Sequence, residues 1–227
     1  MSGSLLAARA TGPGAPAWRF ARLLRVTVAK VLLALYRTRV IGAENVPATG
    51  GFILAGNHVS YLDPVLLWSA APRETHFVAK QELFDIPGLT WPLAHIWSFP
   101  IRRGTADRTA IQRATDLLCA GEPVAMFPEG TRQRSGASAE LGEAHSGVAF
   151  IALRADVPVV PVGIAGTARA LPAGAWLPRF PCVTIAYGPP VLPADFAEGA
   201  RKERTAALTA EIMSRIAHAR DQAEGAT

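Results

Sequence analysis

His58 and Asp63 stand five residues apart in the run Gly56-Asn57-His58-Val59-Ser60-Tyr61-Leu62-Asp63, directly after the apolar segment 51–55. An alcohol holds its proton about as tightly as water does and is a poor nucleophile at neutral pH. A neutral imidazole about 3 Å away can take that proton as attack develops, a contribution of roughly 10²–10⁴-fold. A carboxylate on the other ring nitrogen fixes the tautomer and steadies the imidazolium. Asp63 precedes Pro64, and Asp-Pro is also a favourable helix-start pair, so a second reading has Asp63 capping a helix over 63–71. One carboxylate has two oxygens and can serve both roles.

Two further clusters suit an anion. Phe127-Pro128-Glu129-Gly130-Thr131-Arg132 closes an apolar run. Gly130 permits a turn and close backbone approach, and Arg132 offers a planar fork for phosphate oxygens. Glu129 would orient an arginine or accept from a substrate hydroxyl; the alternative is an ordinary exposed turn. Ser98-Phe99-Pro100-Ile101-Arg102-Arg103-Gly104 ends in paired arginines. In a continuing strand these would point to opposite faces, so one of them faces a cleft; a solvated charged edge is the plainer reading. Together the three clusters imply proton removal from a hydroxyl on a phosphate-bearing molecule.

The elements that must position these groups alternate. Strand patterns fall at 51–56, 75–79, 98–102, 123–128, 157–165 and 182–187, and helical patterns at 63–71, 105–120, 145–155 and 200–222. The alternation predicts an α/β fold with a mixed, largely parallel sheet flanked by helices. Pro158 and Pro161 lie in the β-branched run 157–162, which predicts an edge or irregular strand there. Residues 168–181 read as a Pro/Gly/Ala-rich loop.

The chain has 227 residues, 50% hydrophobic and 18% charged, with a net charge of +5. That composition excludes disordered and fibrous classes. The basicity is local: Met1–Gly42 carries Arg9, Arg19, Arg22, Arg25, Lys30, Arg37 and Arg39 with no acidic residue. Residues 1–16 read as a disordered leader, 17–42 as a basic amphipathic helix and 43–227 as one catalytic domain. A bilayer-spanning helix needs about 20 mostly apolar residues, and the longest uncharged stretch within 17–42 is Val31–Tyr36. Basic and aromatic residues around an apolar body suit a helix in an anionic membrane interface; a first helix packed on the core is the alternative. Cys119 and Cys182 are the only cysteines and read as buried free thiols of a reducing compartment. The five histidines show no metal-ligand spacing, so no metal is expected. No G-x-S-x-G, Walker-type or dinucleotide glycine motif occurs. The basic N-terminus lacks any recognised nucleic-acid module.

As a set, four blocks resemble the lysophospholipid acyltransferase family, the 1-acylglycerol-3-phosphate acyltransferase-like branch of the glycerolphosphate acyltransferases. They are Asn57-His58-x-Ser60-x-x-Asp63 (the family's HX4D motif), Phe99-Pro100-Ile101-Arg102-Arg103, Phe127 to Arg132, and Val159-Val160-Pro161-Val162. The resemblance implies His58 as base with Asp63 as its partner. It implies substrate-binding roles for Asn57, Ser60, Arg103, Glu129, Gly130, Thr131 and Arg132, with Pro161 shaping the acyl side. The acyl donor would be a thioester of CoA or acyl carrier protein, attacked directly by the sn-2 hydroxyl of lysophosphatidate, with no other cofactor. The protein would sit peripherally on the cytoplasmic face of the cell membrane, its partners a membrane lipid acceptor and an anionic surface. Two departures stand out: Ile96-Trp97-Ser98 precedes Phe99 where a Gly is frequent, and His145-Ser146-Gly147 replaces the usual Lys-x-Gly. Another lyso-lipid acceptor, such as a lyso-ornithine lipid, and a non-catalytic lipid-binding protein of the same fold are the rival readings.

Overall fold

The computed structural model describes residues 16–80, 98–101, 107–129, 146–170 and 179–227. Seven strands form one sheet in the order β1-β7-β6-β2-β5-β3-β4. They are β1 (Arg39–Ile41), β2 (Ile53–Gly56), β3 (His76–Lys80), β4 (Ser98–Ile101), β5 (Val124–Met126), β6 (Val159–Ala165) and β7 (Thr184–Tyr187). β2 to β6 run parallel; β7 is antiparallel to β6 and carries β1 parallel to itself. The helices are α1 (Pro16–Leu35), α2 (Asp63–Ala70), α3 (Arg108–Cys119), α4 (Gly147–Ala155) and α5 (Arg201–Gly225). The expected mixed α/β architecture is the one observed.

Alternation along the strands sorts the core into two layers. Ile53, Ala55, Val124 and Val159 face α3, α4 and α5 through Leu118, Ile151, Leu208 and Ile212. Phe52, Leu54, Val160, Val162 and Ile164 face α2 through Leu66 and Leu67, and Ala29 and Leu32 of α1 pack against the same cluster. Helix α3 starts where Asp107 Oδ1 accepts from Ala110 N at 3.0 Å, an N-cap bond. Helix α5 lies directly on β6. A Cβ at Gly163 would fall 2.1 Å from the Ala219 backbone, so only glycine admits this approach.

Three expectations change. Strand β6 is interior, between β7 and β2, and buried along its whole length. Its proline is accommodated by a bulge in the neighbouring segment. The N–H and C=O of one strand residue face the same neighbour, and Pro161 O accepts from Gly188 N at 2.8 Å. The missing N–H therefore also faces that side, where the pairs Val162↔Tyr187 and Val159↔Val191 differ by one residue in register. The pairing Ala55↔Pro161 on the other side does not need it. Second, the N-terminal helix ends at Leu35 rather than reaching 42. Arg37 takes a left-handed backbone, φ 43°, and residues 39–41 join the sheet as an edge strand. Third, neither cysteine is buried: Cys119 is exposed and Cys182 half-buried, both free.

Candidate active site

The site starts where β2 leaves the sheet. Backbone pairing with β6 runs to Gly56↔Val162, and Asn57 then continues it with its side chain. Nδ2 donates to Ile164 O at 3.0 Å and Oδ1 accepts from Ile164 N at 2.7 Å. An amide side chain thus stands in for a peptide group, and the main chain is released to turn. Asn57 is one of the residues expected to contact substrate. The residue is 2% exposed, and its amide is directed into the sheet.

The turn from His58 to Leu62 is organised by one oxygen. Asp63 Oδ2 accepts from Val59 N at 2.7 Å and Ser60 N at 2.6 Å, and contacts His58 Nδ1 at 2.9 Å. Ser60 Oγ accepts from Leu62 N at 3.3 Å, so this hydroxyl, expected to meet substrate, is turned onto its own loop, and Ser60 is buried. Asp63 does not cap α2. Leu62 occupies the N-cap without a side-chain bond, and the carboxylate reaches back instead of forward. Its Oδ1 is buried with no hydrogen-bond partner among the described residues.

Only a donor can face a carboxylate, so Nδ1 carries the proton and Nε2 presents a lone pair. The Asp63 side chain is fully buried while that of His58 is 12% exposed. The pair is therefore anchored at one end and reachable at the other. The arrangement can accept a proton at Nε2 and hold the resulting charge against Asp63.

Beside β2 runs β5, and its exit brings Phe127, Pro128 and Glu129 to the same edge. Strands β2 and β5 pair through Ala55↔Met126, so both segments leave at the carboxyl edge of the sheet, where open α/β folds place ligands. Phe127 stacks on the His58 ring, centroids 4.5 Å apart at 24°. Glu129 follows, 3% exposed. Arg103, Gly130, Thr131 and Arg132 lie outside the described residues. Sequence reasoning missed the Phe127 contact and the two backbone N–H donors on Asp63. The available signal for the first was the aromatic at the head of the third block.

The Acyltransferase family model matches residues 37–165, a span that contains both the His58 turn and the β5 exit. The chain is 33% identical over 189 residues to the 1-acyl-sn-glycerol-3-phosphate acyltransferase of Bacillus subtilis, covering 82% of this chain and 90% of that protein. It is 31% identical over 142 residues to a chloroplastic 1-acyl-sn-glycerol-3-phosphate acyltransferase of Arabidopsis thaliana, covering 61% of this chain and 39% of that one. The crystal structure of the 1-acyl-sn-glycerophosphate acyltransferase of Thermotoga maritima superposes with a TM-score of 0.64 at 26% identity. That match covers 86% of this chain and 80% of the other.

Proposed function

Because the chain belongs to the acyltransferase family, we propose that it moves a fatty acyl group from a CoA or acyl-carrier-protein thioester to the sn-2 hydroxyl of lysophosphatidate, giving phosphatidate. The observation that carries the mechanism is the 2.9 Å contact between His58 Nδ1 and a buried Asp63 oxygen. It leaves Nε2 as the one ring nitrogen able to act as base.

Nε2 takes the hydroxyl proton as the acceptor oxygen attacks the thioester carbon. The C–O bond forms and the C–S bond breaks. The thiolate leaves and recovers the proton from the imidazolium, so His58 ends as it began and no acyl-enzyme forms. Asp63 holds the tautomer and offsets the transient charge. The acceptor phosphate is assigned to Arg103, Gly130, Thr131 and Arg132 on their residue types, with Glu129 orienting an arginine or accepting from a substrate hydroxyl.

Helix α1 brings the cleft to the lipid. No helix among the described residues is long and apolar enough to cross a membrane. Val28, Val31 and Leu35, spaced three and four apart, are 40%, 59% and 44% exposed, and Lys30 lies between them in sequence. Such a surface suits peripheral binding to an anionic interface, here at the cytoplasmic face.

The test is acyl transfer from long-chain acyl-CoA to lysophosphatidate in detergent or liposomes, wild type beside His58→Ala. Phosphatidate from wild type alone supports the reaction and the base. Equal turnover by both overturns the base. Turnover only with another lyso-lipid overturns the acceptor, and turnover only with acyl carrier protein selects the donor.

A further inference from the structure

We propose that Phe127 is a positioning residue for acyl transfer: its ring is the wall that fixes the plane of the His58 imidazole and so aims Nε2 at the acceptor hydroxyl. The inference rests on His58 being the base.

One hydrogen bond does not define a ring. The bond from Nδ1 to Asp63 fixes one corner, while the outer torsion of histidine is broad. A swing of roughly 30° in that torsion tilts the ring plane and its Nε2 lone pair, beyond the roughly 10–20° within which a reacting group must be held. A second contact on the ring face removes that freedom. Phe127 supplies it in a near-parallel stack, 4.5 Å between centroids at 24°, within the usual range for aromatic pairs.

Phe127 is itself held. It follows Met126, whose backbone pairs with Ala55, and it packs against the buried cluster containing Leu54, Leu66 and Val162. A Cβ at Gly56 would lie 3.5 Å from Phe127 Cε1, so the ring seats against the glycine backbone just before the His58 turn. The base is therefore clamped by its own loop through Asp63 and by the neighbouring strand through Phe127. The strand that leads to Phe127 therefore also sets the base.

The experiment compares wild type, Phe127→Leu and Phe127→Tyr in acyl transfer to lysophosphatidate, with His58→Ala alongside and thermal midpoints recorded for all. Leu keeps an apolar side chain and loses the flat face; Tyr keeps the face. The expected result is a kcat about 10- to 100-fold lower for Phe127→Leu with acceptor KM within about twofold, and Phe127→Tyr within about threefold of wild type. Undiminished kcat in Phe127→Leu, a loss confined to KM, or an equal loss in Phe127→Tyr overturns the proposal. If Phe127→Leu misfolds, Phe127→Met replaces it under the same criteria. A second readout does not need turnover: the hydrogen-bonded Nδ1–H proton of His58 in NMR spectra. It should be sharp in wild type and Phe127→Tyr and broadened in Phe127→Leu. An unchanged resonance in Phe127→Leu overturns the proposal. Full activity in His58→Ala instead overturns the base assignment, and the resonance still decides whether Phe127 holds the ring.

Discussion

Asn57 grips the backbone of Ile164 through both ends of one amide, 107 residues away in sequence. The pair ties the last residue before the His58 turn to the far end of β6. Asn57→Ala would leave a buried N–H and C=O without these partners, at about 1–3 kcal/mol for each group left unsatisfied. We expect a lower thermal midpoint with turnover falling alongside it. Asn57→Asp keeps an acceptor for Ile164 N but sets a carboxylate against Ile164 O, and should be no better than alanine. A wild-type midpoint in Asn57→Ala would show that the clamp carries no weight.

On the proposed mechanism, Asp63 variants separate folding from chemistry. In Asp63→Asn the amide oxygen can take the Oδ2 position and still accept from Val59 N, Ser60 N and His58 Nδ1. The fold should survive while turnover drops roughly 10²–10⁴-fold for want of the charge that steadies the imidazolium. Asp63→Ala strands the two backbone donors as well, and should lose about 1–3 kcal/mol per group besides. Turnover by each variant, read against its unfolding midpoint, checks the contrast.

Gly163 sets how closely α5 lies on the sheet. With Ala219 carbonyl atoms 2.1 Å from where a Cβ would be, Gly163→Ala must lift the helix or bend β6. Overpacking of this kind costs about 1–3 kcal/mol. Since β6 also carries Ile164, activity should decline with stability. Chemical denaturation with an unchanged m-value and an earlier midpoint is the expected signature.

Arg73 closes the opposite edge of the sheet. Its Nη1 donates to Gly50 O at 2.6 Å and Pro47 O at 3.3 Å, and Nη2 to Gly121 O at 3.0 Å. The guanidinium also lies over the Phe52 ring. A lysine cannot reproduce a planar fork, so Arg73→Lys should recover little of what Arg73→Ala loses. With the group only half-buried, that loss is put at about 1–2 kcal/mol. It should appear in thermal melts, with kcat of the folded fraction unchanged.

Membrane attachment is tested on the exposed stripe, leaving the packed face intact. Val31→Glu and Leu35→Glu spare Ala29 and Leu32, which contact the core. Both substitutions should reduce co-sedimentation with anionic vesicles several-fold while leaving turnover on detergent-dispersed acceptor near wild type. Binding should also weaken as salt rises, since its electrostatic part is screened. Binding insensitive to both substitutions would place the contact elsewhere.

What could be read from the residues alone was local. The His58–Asp63 pair closes over five residues, and intervening Val59 and Ser60 donate the two backbone hydrogen bonds on Asp63, so neighbours in the chain determined the turn. Period-two and helical patterning likewise located the main strands and helices, because each element's buried face is written in consecutive residues. Even there, the direction of the Asp63 carboxylate, back to the turn rather than onto α2, required coordinates. Tertiary structure alone decided the rest. Pro161 reads as an edge residue until the bulge at Gly188 is seen. The three residues of β1 are too few to show a pattern, and they become a strand by pairing with β7. Asn57 finds Ile164, and Phe127 finds His58, only because β6 and β5 flank β2. Strand order follows from how whole faces bury against one another, and such contacts bring together residues whose separation in sequence carries no record of their distance in space.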